Sequence, residues 1–216
     1  MLKSKRTQLL PTTNSHTPLV IPDPIGNPYK QKPGSRIKYG MTPSAKSVTV
    51  RILGIDPGTA TTGWGVVDYI NNQPKSIAWG NIETAKEDVT PQRLLLIYRA
   101  LKEIIKTYNP QELAMEAVFF ARNAKTAIKV GQAQGVMFMA SQEYDKRVIE
   151  YSPATIKKIL TGNGRAEKTD VQKAVRVVLG ASVKSPKHKR THFDNSADAL
   201  AVAICHLVKL YGYEVC

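Results

Sequence analysis

A regular alternation of apolar and polar positions begins near residue 48 and continues almost to the end of the chain. Val48 to Asp56 is an apolar, β-branched run that ends in a Pro-Gly turn, and it predicts a buried strand. The segments Gly63 to Tyr69 and Ser76 to Thr84 predict two further strands, which are connected by turn residues that include an Asn-Asn pair. The first part of the pattern therefore predicts three consecutive strands.

Helical spacing and short strands alternate in the rest of the chain. Thr90-Pro91 combines a capping residue with a proline at the first helical position, which is typical of a helix start, and apolar residues then recur at helical spacing up to Tyr108. We predict strands over 113–116 and 147–151, and helices over 123–143, 153–160, 168–179 and 194–211. The order βββαβαβααα predicts an α/β fold with a mixed five-stranded sheet and helices on both faces.

The first 47 residues differ in composition from the rest. They hold seven of the 13 prolines, eight basic residues and one acidic residue, without apolar periodicity. Such a segment cannot bury enough apolar surface to offset the entropy of ordering, so we predict a disordered basic tail over 1–47 and a folded domain over 48–216. Four interpretations of the tail stay open: a solvated tail, a true start at Met41, an organellar transit peptide, or an arm that contacts DNA non-specifically.

The charge of the chain favours a polyanionic partner. It carries 31 Lys+Arg against 17 Asp+Glu, a net charge of +14, which favours nucleic acid first and an anionic membrane surface second. The longest apolar run is about ten residues, whereas a membrane span needs about 20. The two cysteines, Cys205 and Cys216, predict neither a disulfide framework nor a zinc site. We expect a cytoplasmic protein without a membrane partner, with organellar import by the tail left open.

Several acidic residues occupy places where a carboxylate is costly unless it is hydrogen-bonded or bound to a cation. Asp56 ends the first apolar strand, Glu116 ends the short strand in AMEAVFF, and Asp198 lies in an apolar helix. Asp194 and Asn195 precede Asp198 by four and three positions, so all three can point to one side of that helix. Carboxylates repel one another, and a hard divalent cation removes that cost, so this set predicts a shared magnesium site.

Each of these acids also has an ordinary structural interpretation. Asp56 before Pro-Gly is a possible turn former. Glu116 could be a strand-edge residue paired with a lysine, and Asp194 could be the N-cap of the last helix, which is the more common role there. The residues taken singly leave these alternatives open.

Four separated segments resemble, in this order, the RuvC family of Holliday junction resolvases: ILGIDPGTATTGWGVVD, MEAVFFARNAKTAIKVGQAQGV, GNGRAEKTDVQ and SADALAVAICH. The resemblance runs from about Arg51 to His206. It implies a ribonuclease H-like fold and a homodimer that resolves four-way DNA junctions in recombination and repair, with each subunit nicking one of two opposing strands. A branch-migration helicase is a further partner that the family implies.

The resemblance also implies the roles of the acidic residues. Asp56, Glu116 and Asp198 match three of the family's four metal-binding acids. The fourth position holds Asn195, so either its side-chain carbonyl or the neighbouring Asp194 would complete the site. Two Mg²⁺ ions per subunit, for which Mn²⁺ can substitute, would hold the scissile phosphate between them, with Asp56 bridging both.

Other positions match residues of the family that contact DNA. Lys168 matches a lysine near the reacting phosphate, and Lys157 matches another that contacts DNA. Phe119 matches an aromatic residue that stacks on bases at the open junction centre, with Arg122 and Lys125 adding positive charge nearby. The alternatives are a solvated helix face for each lysine and a core position for Phe119.

The helix predicted over 123–143 carries Ala127, Gly131 and Gly135 at i, i+4 spacing. An interior glycine costs about 1 kcal/mol relative to alanine, which indicates that another backbone approaches this stripe closely. The family's dimer contact uses this helix, so we expect self-association here. The alternative is packing against the protein's own sheet.

Three other functions are alternatives to the resolvase. IDPGT also resembles the phosphate loop of actin-like and sugar-kinase-like ATPases, but those proteins need a second domain and a second phosphate loop. A nuclease of the same fold that acts on RNA is disfavoured by the AEK and VFF segments. Asn195 favours a third alternative, a protein that binds junctions without cutting them, which metal-dependent cleavage would distinguish.

Overall fold

The computed structural model describes residues 49–118, 124–180, 183 and 190–215, with residue 49 and residues 190–194 described in their backbone alone. The predicted tail over 1–47 lies outside the described residues. The elements in chain order are β1 Thr49–Asp56, β2 Thr61–Ile70, β3 Gln73–Glu83, α1 Thr90–Tyr108, β4 Glu112–Glu116, α2 Ala124–Gln142, β5 Val148–Tyr151, α3 Pro153–Thr161, α4 Lys168–Leu179 and α5 Arg190–Tyr211.

The five strands form one mixed sheet in the order β3-β2-β1-β4-β5. β1 pairs antiparallel with β2, and β2 antiparallel with β3, whereas β4 pairs parallel with β1 and β5 parallel with β4. The predicted fold class is thereby confirmed.

Helices cover both faces of the sheet, because alternate residues of a strand point to opposite faces. Val50 and Ile52 of β1 belong to the core that α3, α4 and α5 complete. Leu53 and Ile55, the intervening positions, belong to the core under α1 and α2. The first of these faces is called the α5 face below.

Two glycines let α5 lie directly on the sheet. A Cβ atom on Gly54 would lie 2.1 Å from the backbone oxygen of Ala199, and one on Gly63 would lie 2.1 Å from that of Asn195. Any larger residue at either position would push the helix away, because Cβ atoms essentially never approach other atoms closer than 3.0 Å. The backbone of α5 is therefore held close to β1 and β2.

Two predicted helix caps are wrong, and one of these helices begins earlier than predicted. α5 begins at Arg190, four residues before Asp194, so Asp194 lies inside the helix and is not its N-cap. No glycine or proline separates Arg190 from Asp194, so nothing in that stretch opposes helix. Thr90 is the first residue of α1 rather than its cap, and Gln92 reaches back to accept the N–H of Val89 at 3.2 Å.

The glycine stripe of α2 faces away from the sheet. The helix packs on the core through Ala133, Met137 and Ala140, whereas a Cβ on Gly131 or Gly135 would meet nothing within 4 Å. Packing of this stripe against the protein's own sheet was the alternative interpretation, and it is wrong.

Candidate metal centre

Asp56 and Glu116 lie side by side at the ends of two neighbouring strands. β1 and β4 run parallel, with Ile55 opposite Met115, so the next residue of each strand is one of the two acids. Adjacent strands are about 4.8 Å apart, and residues at matching positions point to the same face. Since Gly54 contacts α5, Asp56 two residues later points to the α5 face too. The two carboxyl groups are thus neighbours on that face.

α5 brings Asp198 to the same end of the sheet. Asp56 lies opposite Gly63 in β2, and Gly63 is where the backbone of Asn195 rests on the sheet. Asp198 is one helical turn further along, and it lines an open cavity of about 180 Å³ together with Glu116. Three of the predicted acids therefore meet on the α5 face.

Two lysines reach this cavity from α3 and α4. Lys168, the first residue of α4, forms an ion pair of 2.7 Å with Asp198. Lys157 of α3 also lines the cavity, and its ammonium acts on Glu116. The remaining lining residues are mostly apolar: Pro153, Ile156, Val171 and Ala201. Neither lysine therefore lies on a solvated face remote from the acids.

Local sequence explains why α3 and α4 present these lysines. Ser152 caps α3 by accepting the N–H of Thr155 at 3.2 Å, and Gly162 ends the helix with φ of 75°. Ile156 and Leu160 of α3, one turn apart, are buried in the core, as are Val171, Val175 and Leu179 of α4. The apolar stripes fix the rotation of each helix, which leaves Lys157 and Lys168 on the cavity side.

Burial and repulsion by neighbouring carboxylates raise the pKa of both strand-end acids. The pKa of Asp56 rises to about 8, chiefly through burial and then through repulsion by Glu116 and Asp198. The pKa of Glu116 rises to about 7 through burial and repulsion by Asp198, opposed by Lys157 and Lys168. Such a set suits a hard divalent cation, since the ion would remove the repulsion.

Within the residues that the structure describes, no three acidic, histidine or cysteine side chains already surround one point at metal-binding distance. Lys168 occupies one oxygen of Asp198 through their ion pair. A cation between Asp56 and Asp198 would therefore compete with Lys168 for this carboxylate.

The remaining predicted site residues fall into two groups. Phe119 and Arg122 lie outside the described residues, and so does the side chain of Asp194. Asn195 is half-buried on α5, beside Gly63. Lys125 is exposed in the first turn of α2, on the opposite face of the sheet from the cavity.

One contact beside the site was missed by sequence reasoning. The buried Ser196 donates a hydrogen bond of 2.9 Å from Oγ to Oδ1 of Asn81. Asn81 belongs to the same row across the sheet, because it lies opposite Gly63, which lies opposite Asp56. Local sequence offers no signal for this bond, since it depends on the register of three strands.

Comparison with known proteins gives concordant matches. The model of the RuvC family, crossover junction endodeoxyribonuclease RuvC, matches residues 52–206. The crossover junction endodeoxyribonuclease RuvC of Alkaliphilus oremlandii is 44% identical over 155 residues, which cover 72% of this chain and 91% of that protein.

Solved structures agree with these matches. Thermus thermophilus RuvC in complex with a Holliday junction substrate matches with a TM-score of 0.65 and 30% identity, over 76% of this chain and 95% of that one. The yeast mitochondrial Holliday junction resolvase Ydc2 matches with a TM-score of 0.59 over 79% of this chain and 84% of that one, and at 14% identity it shows the fold alone. Among the described residues, no helix is long and apolar enough to cross a membrane.

Proposed function

The chain belongs to the RuvC family of crossover junction endodeoxyribonucleases, and we propose that it resolves four-way DNA junctions by hydrolysis at Asp56, Glu116 and Asp198. One observation supports the assignment of the reaction to these three residues. Two carboxyl groups with pKa raised to about 8 and about 7 lie beside an acid of α5, next to a cavity bordered by two lysines. Perturbed acids gathered beside a cavity are typical of a catalytic site.

Asp56, Glu116 and Asp198 would hold divalent cations. Two ions, Mg²⁺ or in its place Mn²⁺, would supply an activated water and stabilise the leaving 3′ oxygen. Asp56 is the central ligand in this proposal, because its carboxyl group interacts with those of both Glu116 and Asp198.

The lysines of the cavity would bind the phosphate. Lys168 is paired with Asp198, so its ammonium lies where a phosphate group would approach the acids. Lys157 provides a second positive charge on the same wall. A fixed cation beside a reacting phosphate offsets the charge that develops there.

Asn195 occupies the position of the family's fourth acid, and it contributes no charge. We propose that its side-chain carbonyl, or the carboxylate of Asp194, completes the site. A neutral ligand binds a hard cation more weakly than a carboxylate does. This departure therefore supports the second candidate function, a protein that binds junctions and cuts them poorly or not at all.

We further propose that a second copy of the chain packs on α2. Ile128 and Met139 are each 63% exposed on this helix, and Phe138 is 36% exposed. Gly131 and Gly135 lie between them on the exposed face. Exposed apolar side chains beside small residues are typical of a helix contact with a partner. A homodimer would present two cavities to two strands of one junction.

The remaining assignments follow from family membership. We propose that Phe119, Arg122 and Lys125 contact the junction centre, and that the protein acts in the cytoplasm with a branch-migration helicase. The tail over 1–47, with its eight basic residues and single acid, is proposed as a separate segment that precedes the nuclease domain over 48–216.

A cleavage assay on a synthetic four-way junction, with a linear duplex of the same sequence beside it, tests the function. Wild type in Mg²⁺ is expected to make paired nicks near the branch point and to spare the duplex. Asp56→Asn should bind the junction but lose cleavage by more than about 100-fold, because even residues that support metal ligands are worth 10–100-fold. Asp170→Asn is the matched control, since Asp170 is an exposed acid of α4 that pairs with Lys173 at 3.2 Å.

Each outcome has a defined meaning. Wild type that binds the junction but never cuts it, in Mg²⁺ or Mn²⁺, would favour the junction-binding protein. Cleavage by Asp56→Asn at the rate of Asp170→Asn would reject the assignment of Asp56. Absence of both binding and cutting in wild type would reject the proposed function.

A further inference from the structure

A polar network around the buried His206 joins α5 to Glu112, at the end of β4 remote from the acids, and to Tyr151 of β5. His206 of α5 has no exposed surface, and its Nε2 lies 2.5 Å from Oε2 of Glu112, the first residue of β4. The other ring nitrogen shares a hydrogen bond of 2.9 Å with the hydroxyl group of Tyr151 in β5. Tyr211 donates a hydrogen bond of 2.6 Å to Oε1 of Glu112. Both ring nitrogens of His206 and both carboxyl oxygens of Glu112 therefore have hydrogen-bond partners.

Glu112 acts as a carboxylate in this network. The hydrogen bond from His206 lowers the pKa of Glu112 below its ordinary value, and the bond from Tyr211 acts in the same direction. An ionised carboxylate only accepts hydrogen bonds, so Nε2 of His206 carries a proton and donates it. Hydrogen bonds to charged groups contribute more than neutral ones and require defined distances and directions.

β4 and α5 are thus connected at two places with nearly equal spacing. Glu112 and Glu116 are the first and last residues of β4, about 13 Å apart at the rise of a strand. His206 and Asp198 are eight residues apart on α5, about 12 Å at the rise of a helix. Glu112 contacts His206 at one end, and Glu116 faces Asp198 across the cavity at the other.

We infer that Glu112 and His206 are positioning residues, whose hydrogen bond sets how far α5 is displaced along β4 and thereby the separation of Glu116 from Asp198. This inference rests on the proposed metal site, which it deepens. A metal site tolerates ligand displacements of only about 0.2 Å, so a small slide of the helix would weaken binding of the ion.

The packing of α5 explains why a directional bond is needed. Its contacts with the sheet include small groups: Ala199 and Ala203 lie over Gly54, and the backbone of Asn195 lies over Gly63, while Leu200 packs on Gly65. Apolar burial is non-directional, so it holds the helix against the sheet more firmly than it resists sliding along it. The repulsion among the three acids, moreover, favours displacement of Asp198 away from Glu116.

Titration of the free protein with Mn²⁺ by calorimetry tests this inference without DNA or catalysis. His206→Ala should raise the dissociation constant for Mn²⁺ by about tenfold, the lower range for residues that support metal ligands. His206→Gln should keep nearly the affinity of wild type, because its amide can donate to Glu112 and accept from Tyr151. At saturating Mn²⁺, His206→Ala should cleave the junction at nearly the wild-type rate, since the reacting groups are unchanged.

Asp68→Asn is the matched control for loss of stability. Asp68 is buried and forms paired hydrogen bonds of 2.6 and 2.8 Å with Arg51, which also donates to the backbone oxygen of Tyr108 in α1. The variant should lower the melting temperature, as His206→Ala also should, while leaving Mn²⁺ affinity unchanged.

The outcomes separate this inference from the proposed function. Equal Mn²⁺ affinities of His206→Ala and wild type would overturn the inference and leave the metal site intact. An equal loss of affinity in Asp68→Asn would also overturn it, because the effect would then be one of stability. Wild type that does not bind Mn²⁺ would reject the metal site and the inference together. A loss confined to His206→Ala and restored in His206→Gln would support it.

Discussion

Replacement of Gly63 by alanine should displace α5 and disable the site before it unfolds the protein. The added Cβ would lie 2.1 Å from the backbone oxygen of Asn195, whereas such atoms need at least 3.0 Å. α5 must therefore move by about 1 Å, which exceeds the tolerance of about 0.2 Å for a metal ligand. Asp198, one turn along the same helix, would move with it.

The expected effect of Gly63→Ala has two parts, a loss of stability and a loss of catalytic rate. Overpacking a dense contact costs about 1–3 kcal/mol in the free energy of unfolding, which lowers the melting temperature of a domain of this size by about 2–4 °C per kcal/mol. A misplacement of about 1 Å in a catalytic group costs about 100-fold in rate. We expect Gly63→Ala to remain folded, with junction cleavage reduced by about 100-fold.

Thermal unfolding followed by circular dichroism, together with single-turnover cleavage of a four-way junction, would measure both parts. Gly80→Ala is the matched control. Its Cβ would lie 2.9 Å from a ring atom of Trp64 instead of the backbone of α5, so a side chain can yield. Wild-type cleavage by a folded Gly63→Ala would refute the reasoning that contact with Gly63 sets the position of Asp198.

Two further predictions concern pH and assembly. Without metal, stability should fall as pH rises from about 4 towards about 8, because the raised pKa of Asp56 and Glu116 makes the folded state bind more protons than the unfolded state over this range. Chemical denaturation across this range should show Asp56→Asn to be more stable than wild type at pH 8, and a less stable variant would contradict the sign. Ile128 is 63% exposed, so Ile128→Glu should leave the melting temperature of the protein nearly unchanged. In sedimentation the variant should be a monomer where wild type is a dimer. A variant that remains a dimer would exclude this face of α2 as the dimer contact.

Much of the fold could be predicted from the sequence because each element carries its own apolar period. The five strands and five helices occur in the predicted order, and their ends agree within three residues except at the start of α5. That start is least predictable because the segment before it is polar and basic, and it offers no apolar stripe to separate loop from helix. Local sequence patterns predict the existence of a helix or strand better than they predict the residues at which it begins and ends.

The acids that meet on the α5 face could be predicted from the sequence more readily than the contacts that hold them. Asp56, Glu116 and Asp198 are conspicuous as acids within apolar segments, and their meeting on one face follows from strand ends and helix rotation. The bond of Ser196 to Asn81 joins two residues that are 115 positions apart in the sequence. The bond of His206 to Glu112 joins two that are 94 positions apart. The spacing of apolar residues along the chain does not predict such a pair. A histidine inside the apolar run AVAICHL indicates only that some buried polar partner exists.

The electrostatics of the site explain why its supports must be strong. Glu116 and Asp198 raise the pKa of Asp56, and Asp198 raises that of Glu116, so in the absence of a cation this repulsion opposes the folded arrangement. Two of the acids are fixed by strand pairing, since β1 and β4 are hydrogen-bonded neighbours. Asp198 is the one that can yield, because a helix packs on a sheet without the ladder of backbone hydrogen bonds that pairs strands. Close contact at Gly54 and Gly63 restrains α5 perpendicular to the sheet, and the bond between His206 and Glu112 restrains it along β4. The two restraints act in different directions, so loss of either should loosen the site while the shared core keeps the fold.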